Sequence, residues 1–187
     1  MITKYLIKTL KNNGIFEEKN EAVVRYGLTG LLSTLFSFIT IIFIGICCNC
    51  LFESILFTIS FYFLRIYAGG YHADTPIKCY GISLIISTTI FALIHNINVS
   101  IITLHIIFVI TSINILYIAP IDTTNKPLSL KEKKFYKKKT QHIIFIHSIV
   151  YLVSGITNNY NICWSIGMSL GVTLFLLTIS KKKHIIS

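Results

Sequence analysis

Acidic side chains are scarce in this sequence: seven Asp and Glu stand against seventeen Lys and Arg, and only 13% of the 187 residues are charged. Set beside 53% apolar residues, that shortage excludes a disordered polar chain. It also argues against an ordinary soluble domain, which needs polar surface to cover its core. The chain shows no internal repeat of roughly 20 to 50 residues and no soluble stretch long enough to fold alone. A nucleic-acid-binding face is a poor account of the formal charge of +10, because the basic residues are confined to gaps between apolar stretches. What the chain has in abundance is uncharged apolar sequence in runs of about twenty residues, the length that crosses a bilayer.

Six such segments can be drawn: Leu28–Cys48, Leu51–Ala68, Cys79–Ile97, Val99–Ala119, Thr140–Ile156 and Ile162–Ser180. The first carries no charge over 21 residues and follows a long polar segment, which argues against a cleavable signal peptide. Segments two, three and five are short or polar at their ends, which leaves tilted or re-entrant forms open. With the N-terminus inside, all seventeen basic residues fall in the cytoplasmic segments or at their margins, and the outer turns near Asn49, Asn98 and Asn158 hold none. A four-span arrangement with two non-spanning segments keeps the same parity. The expected fold is therefore an all-α, polytopic integral membrane bundle of about six segments, one domain over residues 1–187 with both termini cytoplasmic. Residues 1–27 form an N-terminal cytoplasmic segment. In it Ile2, Tyr5, Leu6, Thr9 and Leu10 gather on one helical face with Lys4, Lys8 and Lys11 on the rest, which fits either a helix lying on the inner leaflet or a solvated start to the chain. Residues 120–139 form a basic loop whose run from Lys131 to Lys139 is a topology signal that meets anionic lipid, or a docking surface for an acidic peptide tail.

The unusual chemistry lies in the turn over residues 65–79. In one continuous helix His72 and Cys79 would be about 10.5 Å apart, whereas a proton-transfer pair needs roughly 3 Å. The chain must fold back, and Gly69-Gly70 permits the positive φ that this requires. Thr75-Pro76 reads as a helix start, with Thr75 as N-cap and Pro76 in the first helical position. Cys79 then falls at the end of that helix's first turn, where the dipole, Lys78 and Arg65 favour a thiolate. His72 is placed to accept the thiol proton and Asp74 to orient the imidazole. A metal site built on His72, Asp74 and Cys79 lacks a fourth ligand or paired spacing, so neither a metal nor a cofactor is expected. The competing reading is a packing cysteine and a solvated loop histidine.

The remaining candidates have plainer accounts. Cys47, Cys48, Cys50 and Cys163 fall near the outer side as packing thiols or an extracellular disulfide. His95, His105, His142 and His147 lie in or near spans, where bundle hydrogen bonds suffice for them. Glu53 is an acid near the outer end of span two, neutral or paired in a helix interface.

The stretch Arg65, Gly69-Gly70, His72-Ala73, Cys79-Tyr80 resembles the signature of the AgrB family, membrane-embedded cysteine endopeptidases of Gram-positive quorum-sensing systems. Ala119-Pro120 with Asn125-Lys126-Pro127 resembles that family's second motif. The resemblance implies that His72 and Cys79 are the catalytic pair and that Arg65 and Gly70 matter for activity. It implies an AgrD-like precursor peptide as substrate, cut at its C-terminal tail and closed to a thiolactone or lactone, and a homodimer in the cell membrane. Gly69, Asp74 and Lys78 are further supporting positions. Arg65 is open to three roles: oxyanion donor, anchor for a substrate carboxylate, or a lipid-phosphate anchor. Two other readings of the chain compete, a small permease-like bundle and a non-enzymatic membrane interaction protein.

Overall fold

The computed structural model describes residues 2–17, 20–70, 76–96, 99–121 and 128–186, and among them there are seven helices and no strand. They are α1 (Ile2–Asn12), α2 (Glu21–Cys47), α3 (Leu51–Ala68), α4 (Pro76–Asn96), α5 (Ile101–Ile118), α6 (Leu130–Ile156) and α7 (Tyr160–Ile186). Helix α1 buries Ile7 while Tyr5 faces outward, and it stops at Gly14, whose φ of 66° only glycine adopts freely. Lys11 Nζ lies 3.9 Å from Glu21 of α2, and both α1 and α2 end and begin near this pair.

The exterior of the bundle is apolar and its interior is rich in small hydroxyl residues, the reverse of a soluble protein. On α5, Ile102, Ile106, Val109 and Ile113 are exposed, while Leu104, Phe108, Thr111 and Ile115 face inward. On α7, Ser165, Ser169 and Thr173 are wholly buried, and each satisfies its hydroxyl by donating to a carbonyl of its own helix at 2.7–2.9 Å. Lipid provides no hydrophobic drive for helix association, so close packing through small residues and internally satisfied hydroxyls holds such bundles together. Gly45 lies so close to the Ser54 side chain that a Cβ would have no room, which brings α2 against α3.

Two packed clusters share α3 and α7. One joins Leu64, Phe108, Ile115, Tyr151, Ile166 and Leu177 from α3, α5, α6 and α7. The other joins Ile41, Phe57, Ile90 and Phe91 from α2, α3 and α4, with Met168 and Val172 of α7 against it. The turns after α2 and α6 each carry an asparagine in the left-handed region, Asn49 at φ 53° and Asn158 at φ 58°. The charge pattern assigns both to outer turns, and Asn98, the third, lies outside the described residues.

Among the described residues, four helical stretches are long and apolar enough to cross a membrane: Glu21–Cys47, Leu51–Ala68, Ile101–Ile118 and Tyr160–Lys181. The apolar part of α4, Tyr80–Ala92, is shorter. Helix α6 starts ten residues before segment five, so residues 130–139 of the basic loop are helical. A capping box begins it: Ser129 accepts from Glu132 N–H, and the Glu132 carboxylate accepts from Ser129 N–H.

Candidate functional site

The last turn of α3 closes on itself through Arg65. Its Nη1 donates to the Gly69 carbonyl at 3.0 Å, and Gly69 N–H donates back to the Arg65 carbonyl at 3.3 Å. Gly69 and Gly70 hold φ of 80° and 126°, so the positive φ expected of this pair is present. Space demands glycine here as much as conformation does. A Cβ on Gly69 would come within 2.9 Å of the Ile121 carbonyl oxygen, and one on Gly70 would collide with Arg65 Nη1.

The second motif docks on this turn. Ile121 N–H donates to the Ala68 carbonyl at 3.2 Å, immediately after the cis Ala119–Pro120 bond at the end of α5. The two stretches that carry the family resemblance are thus in contact, although Ala68 and Ile121 are fifty-odd positions apart in the chain.

Helix α4 begins at Pro76, as its sequence predicts. Tyr80 is fixed to α2 by a 2.9 Å hydrogen bond between its hydroxyl and that of Thr40. Beside it, a cavity of about 710 Å³ opens between α2, α3, α4 and α7. Arg65, Gly69, Gly70, Pro120 and Tyr136 line one part of it, and Ile82, Ser83, Ile86 and Ser87 of α4 line another. Position 79 is three and four residues before Ile82 and Ser83, so it lies on the same face of α4, at its first turn. The wall carries hydroxyls from Thr34, Ser37, Thr58 and Ser87, each donating to its own helix backbone and keeping lone pairs to accept from a guest. His72 and Asp74 lie outside the described residues, and Cys79 is described through its backbone alone. Lys78 is exposed. Of the proposed site, Arg65, Gly69, Gly70, Lys78 and the backbone of position 79 are therefore placed, and the first three lie on the cavity wall.

The other candidates resolve into bundle contacts. Cys47, Cys48, Cys50 and Cys163 are free thiols, with Cys50 in one core cluster and Cys163 in the other. Burial, with Cys48 and Glu53 adding to it, pushes the Cys50 thiol up to about 11, so it is protonated at neutral pH. Glu53 accepts from Asn161 Nδ2 at 2.6 Å, which ties α3 to α7. His105 Nδ1 lies 3.1 Å from the Tyr151 hydroxyl, and His142 and His147 each hydrogen-bond a carbonyl four residues back. The side chain of His95 is outside the description. Among the described residues no group of three or more His, Cys, Asp or Glu is close enough to hold a metal ion. Two wall residues escaped the sequence reading, Tyr67 and Tyr136, whose rings lie 6.0 Å apart. Tyr136 has a sequence signal in its place beside Phe135 within the lysine run, and Tyr67 has none.

The chain matches the family described as Accessory gene regulator B over residues 1–179. A protein of Clostridium perfringens strain SM101, provisionally named AgrB-like, is 28% identical over 94% of this chain and 85% of its own length. A second, from Clostridium perfringens strain 13 and provisionally named AgrB-like protein 2, is 29% identical over 88% of this chain and 80% of its own. No solved structure matches. A family match spanning nearly the whole chain, on an apolar helical bundle whose two motif segments meet beside one cavity, establishes that this protein belongs to the AgrB family.

Proposed function

We propose that this protein is a membrane-embedded cysteine endopeptidase of an agr-type quorum-sensing system, acting at the cytoplasmic face on an AgrD-like precursor peptide. What supports the reading is the register of residue 79, in the first turn of α4 and three and four positions before Ile82 and Ser83, which line the cavity beside the Arg65–Gly70 turn. His72 removes the Cys79 proton and the thiolate adds to a peptide carbonyl of the precursor. The C–N bond then breaks, the imidazolium returns its proton to the leaving amine, and the C-terminal tail departs, leaving an acyl thioester on Cys79. A Cys thiol or Ser hydroxyl of the same peptide attacks that thioester before water does, releasing a thiolactone or lactone and regenerating the Cys79 thiol. The bound peptide supplies its nucleophile at high effective concentration, and a cavity walled by apolar helices keeps water out. Replacing an amide by a thioester is uphill, so removal of tail or product must pull the reaction forward. Oxyanion donors come from backbone N–H groups, at the Gly69-Gly70 turn or in the first turn of α4, where helix geometry leaves amides without intrahelical carbonyls. Arg65 acts by bracing Gly69, and the protein works as a homodimer.

The test supplies an amphipathic AgrD-type peptide with an acidic tail to the protein in liposomes and follows products by mass spectrometry. Cys79→Ala and His72→Ala are expected to abolish cleavage, and a peptide adduct is expected on Cys79 of the parent chain. Cleavage that persists in Cys79→Ala overturns the mechanism.

A further inference from the structure

We propose that the groove between α3 and α6 is a binding site for one anionic phospholipid, its acyl chain along the groove and its headgroup at Lys138, Lys139 and His142. The groove encloses about 840 Å³ and is distinct from the cavity beside the Arg65–Gly70 turn. Its floor and sides are mostly apolar, with Ile59 and Phe63 from α3 and Ile146 and Val150 from α6. Its charged side chains gather at one end, where Lys138 and Lys139 form the mouth with His142, while Ser60 and His147 lie deeper in the lining and His147 is held by the Ile143 carbonyl. From Lys139 to Val150 the helix rises about 17 Å, close to one leaflet of a hydrocarbon core of about 30 Å. A guest of this shape carries an anion at one end and about one leaflet's depth of hydrocarbon at the other.

Charge decides among the guests that an apolar groove accepts. No carboxylate among the described residues stands within ion-pair distance of Lys138 or Lys139. Lys139 lies 5.5 Å from the Phe135 ring centroid, which orients its ammonium without neutralising it. A second copy of this chain is poorly equipped to fill the groove. Three of its described carboxylates are engaged at home: Glu21 with Arg25, Glu53 with Asn161 and Glu132 with Ser129. The membrane in which the bundle sits supplies an anionic headgroup joined to an acyl chain, and basic residues at its surface favour such lipids. The Tyr67 and Tyr136 rings, 6.0 Å apart, stand between this groove and the neighbouring cavity, so lipid and a guest in that cavity need not compete.

The test uses the full chain with Trp164→Phe and Phe63→Trp, which places one reporter in the groove wall, reconstituted in vesicles of dioleoyl phosphatidylcholine and phosphatidylglycerol. Bromines are carried on the acyl chains of one lipid class or the other. Brominated phosphatidylglycerol is expected to quench more strongly, mole for mole, than brominated phosphatidylcholine. Lys138→Gln with Lys139→Gln should cut that preference by about 30-fold, which corresponds to about 1 kcal/mol for each lysine. Lys131→Gln with Lys137→Gln, of equal charge but outside the groove, should leave it intact. Three results overturn the site: equal quenching by both classes, loss of preference in the control pair, or a reporter shielded from both lipids, which would mean a protein occupant.

Discussion

At the scale of single residues, glycine is required where backbone and neighbours meet, and nowhere more than at Gly70. Its φ of 126° lies where L side chains are strained, and the Arg65 guanidinium fills the space a Cβ would take. Gly70→Ala should therefore displace Arg65 from Gly69 and open the turn. The expected result is a loss of about 1–3 kcal/mol of stability, seen as a lower unfolding temperature in detergent, with peptide processing reduced by at least about tenfold. Gly171→Ala is the matched control, because its Cβ meets open space and the residue is helical. It should leave processing unchanged and stabilise α7 by up to about 1 kcal/mol. Equal effects from the two variants would remove any special role for the turn.

At the scale of elements, local chemistry was legible and long-range pairing was not. Pro76 as a helix start, the positive φ of Gly69 and Gly70 and the left-handed Asn49 and Asn158 each follow from what one residue allows its own backbone. Glu53 reads from sequence as neutral or paired in a helix interface, and its partner Asn161 is over a hundred residues away, with nothing local to point to it. The Ala68–Ile121 bond that joins the two motifs, and hence the cavity beside them, is hidden for the same reason. The basic stretch before segment five had its own local signal, a Ser129-x-x-Glu132 capping box, which outweighs the mutual repulsion of its lysines and extends α6 to Leu130. Ser129→Ala should cost that start about 1 kcal/mol, or about fivefold faster amide exchange over residues 130–134, with residues 144–156 unchanged. Exchange that is unaltered throughout would mean that packing, not the cap, sets the boundary. The His72 and Asp74 half of the candidate site lies outside the described residues, so there the sequence reading stands as proposal.

At the scale of the whole molecule, charge and packing describe the same axis independently. Helices α3 and α7 run parallel: Glu53 meets Asn161 near their starts, and the Gly70 turn abuts Leu176 near the end of α7. Helix α6 runs against α3, as the Tyr67–Tyr136 contact between the end of one and the start of the other requires. Arg65, Lys78, Lys131–Lys139 and Lys181 consequently collect at one end of the bundle, and the turns at Asn49 and Asn158 at the other. Because basic residues are retained on the cytoplasmic side, this end should face inward whether four helices cross or six. The prediction can be read in cells. In a chain whose Cys47, Cys48, Cys50, Cys79 and Cys163 are replaced by Ala, Thr157→Cys should react with a membrane-impermeant maleimide on intact cells. Ser129→Cys should react only after permeabilisation. The opposite pattern would place the Arg65–Gly70 turn outside, away from a peptide made in the cytoplasm, and the proposed endopeptidase would lose its substrate together with its reducing environment.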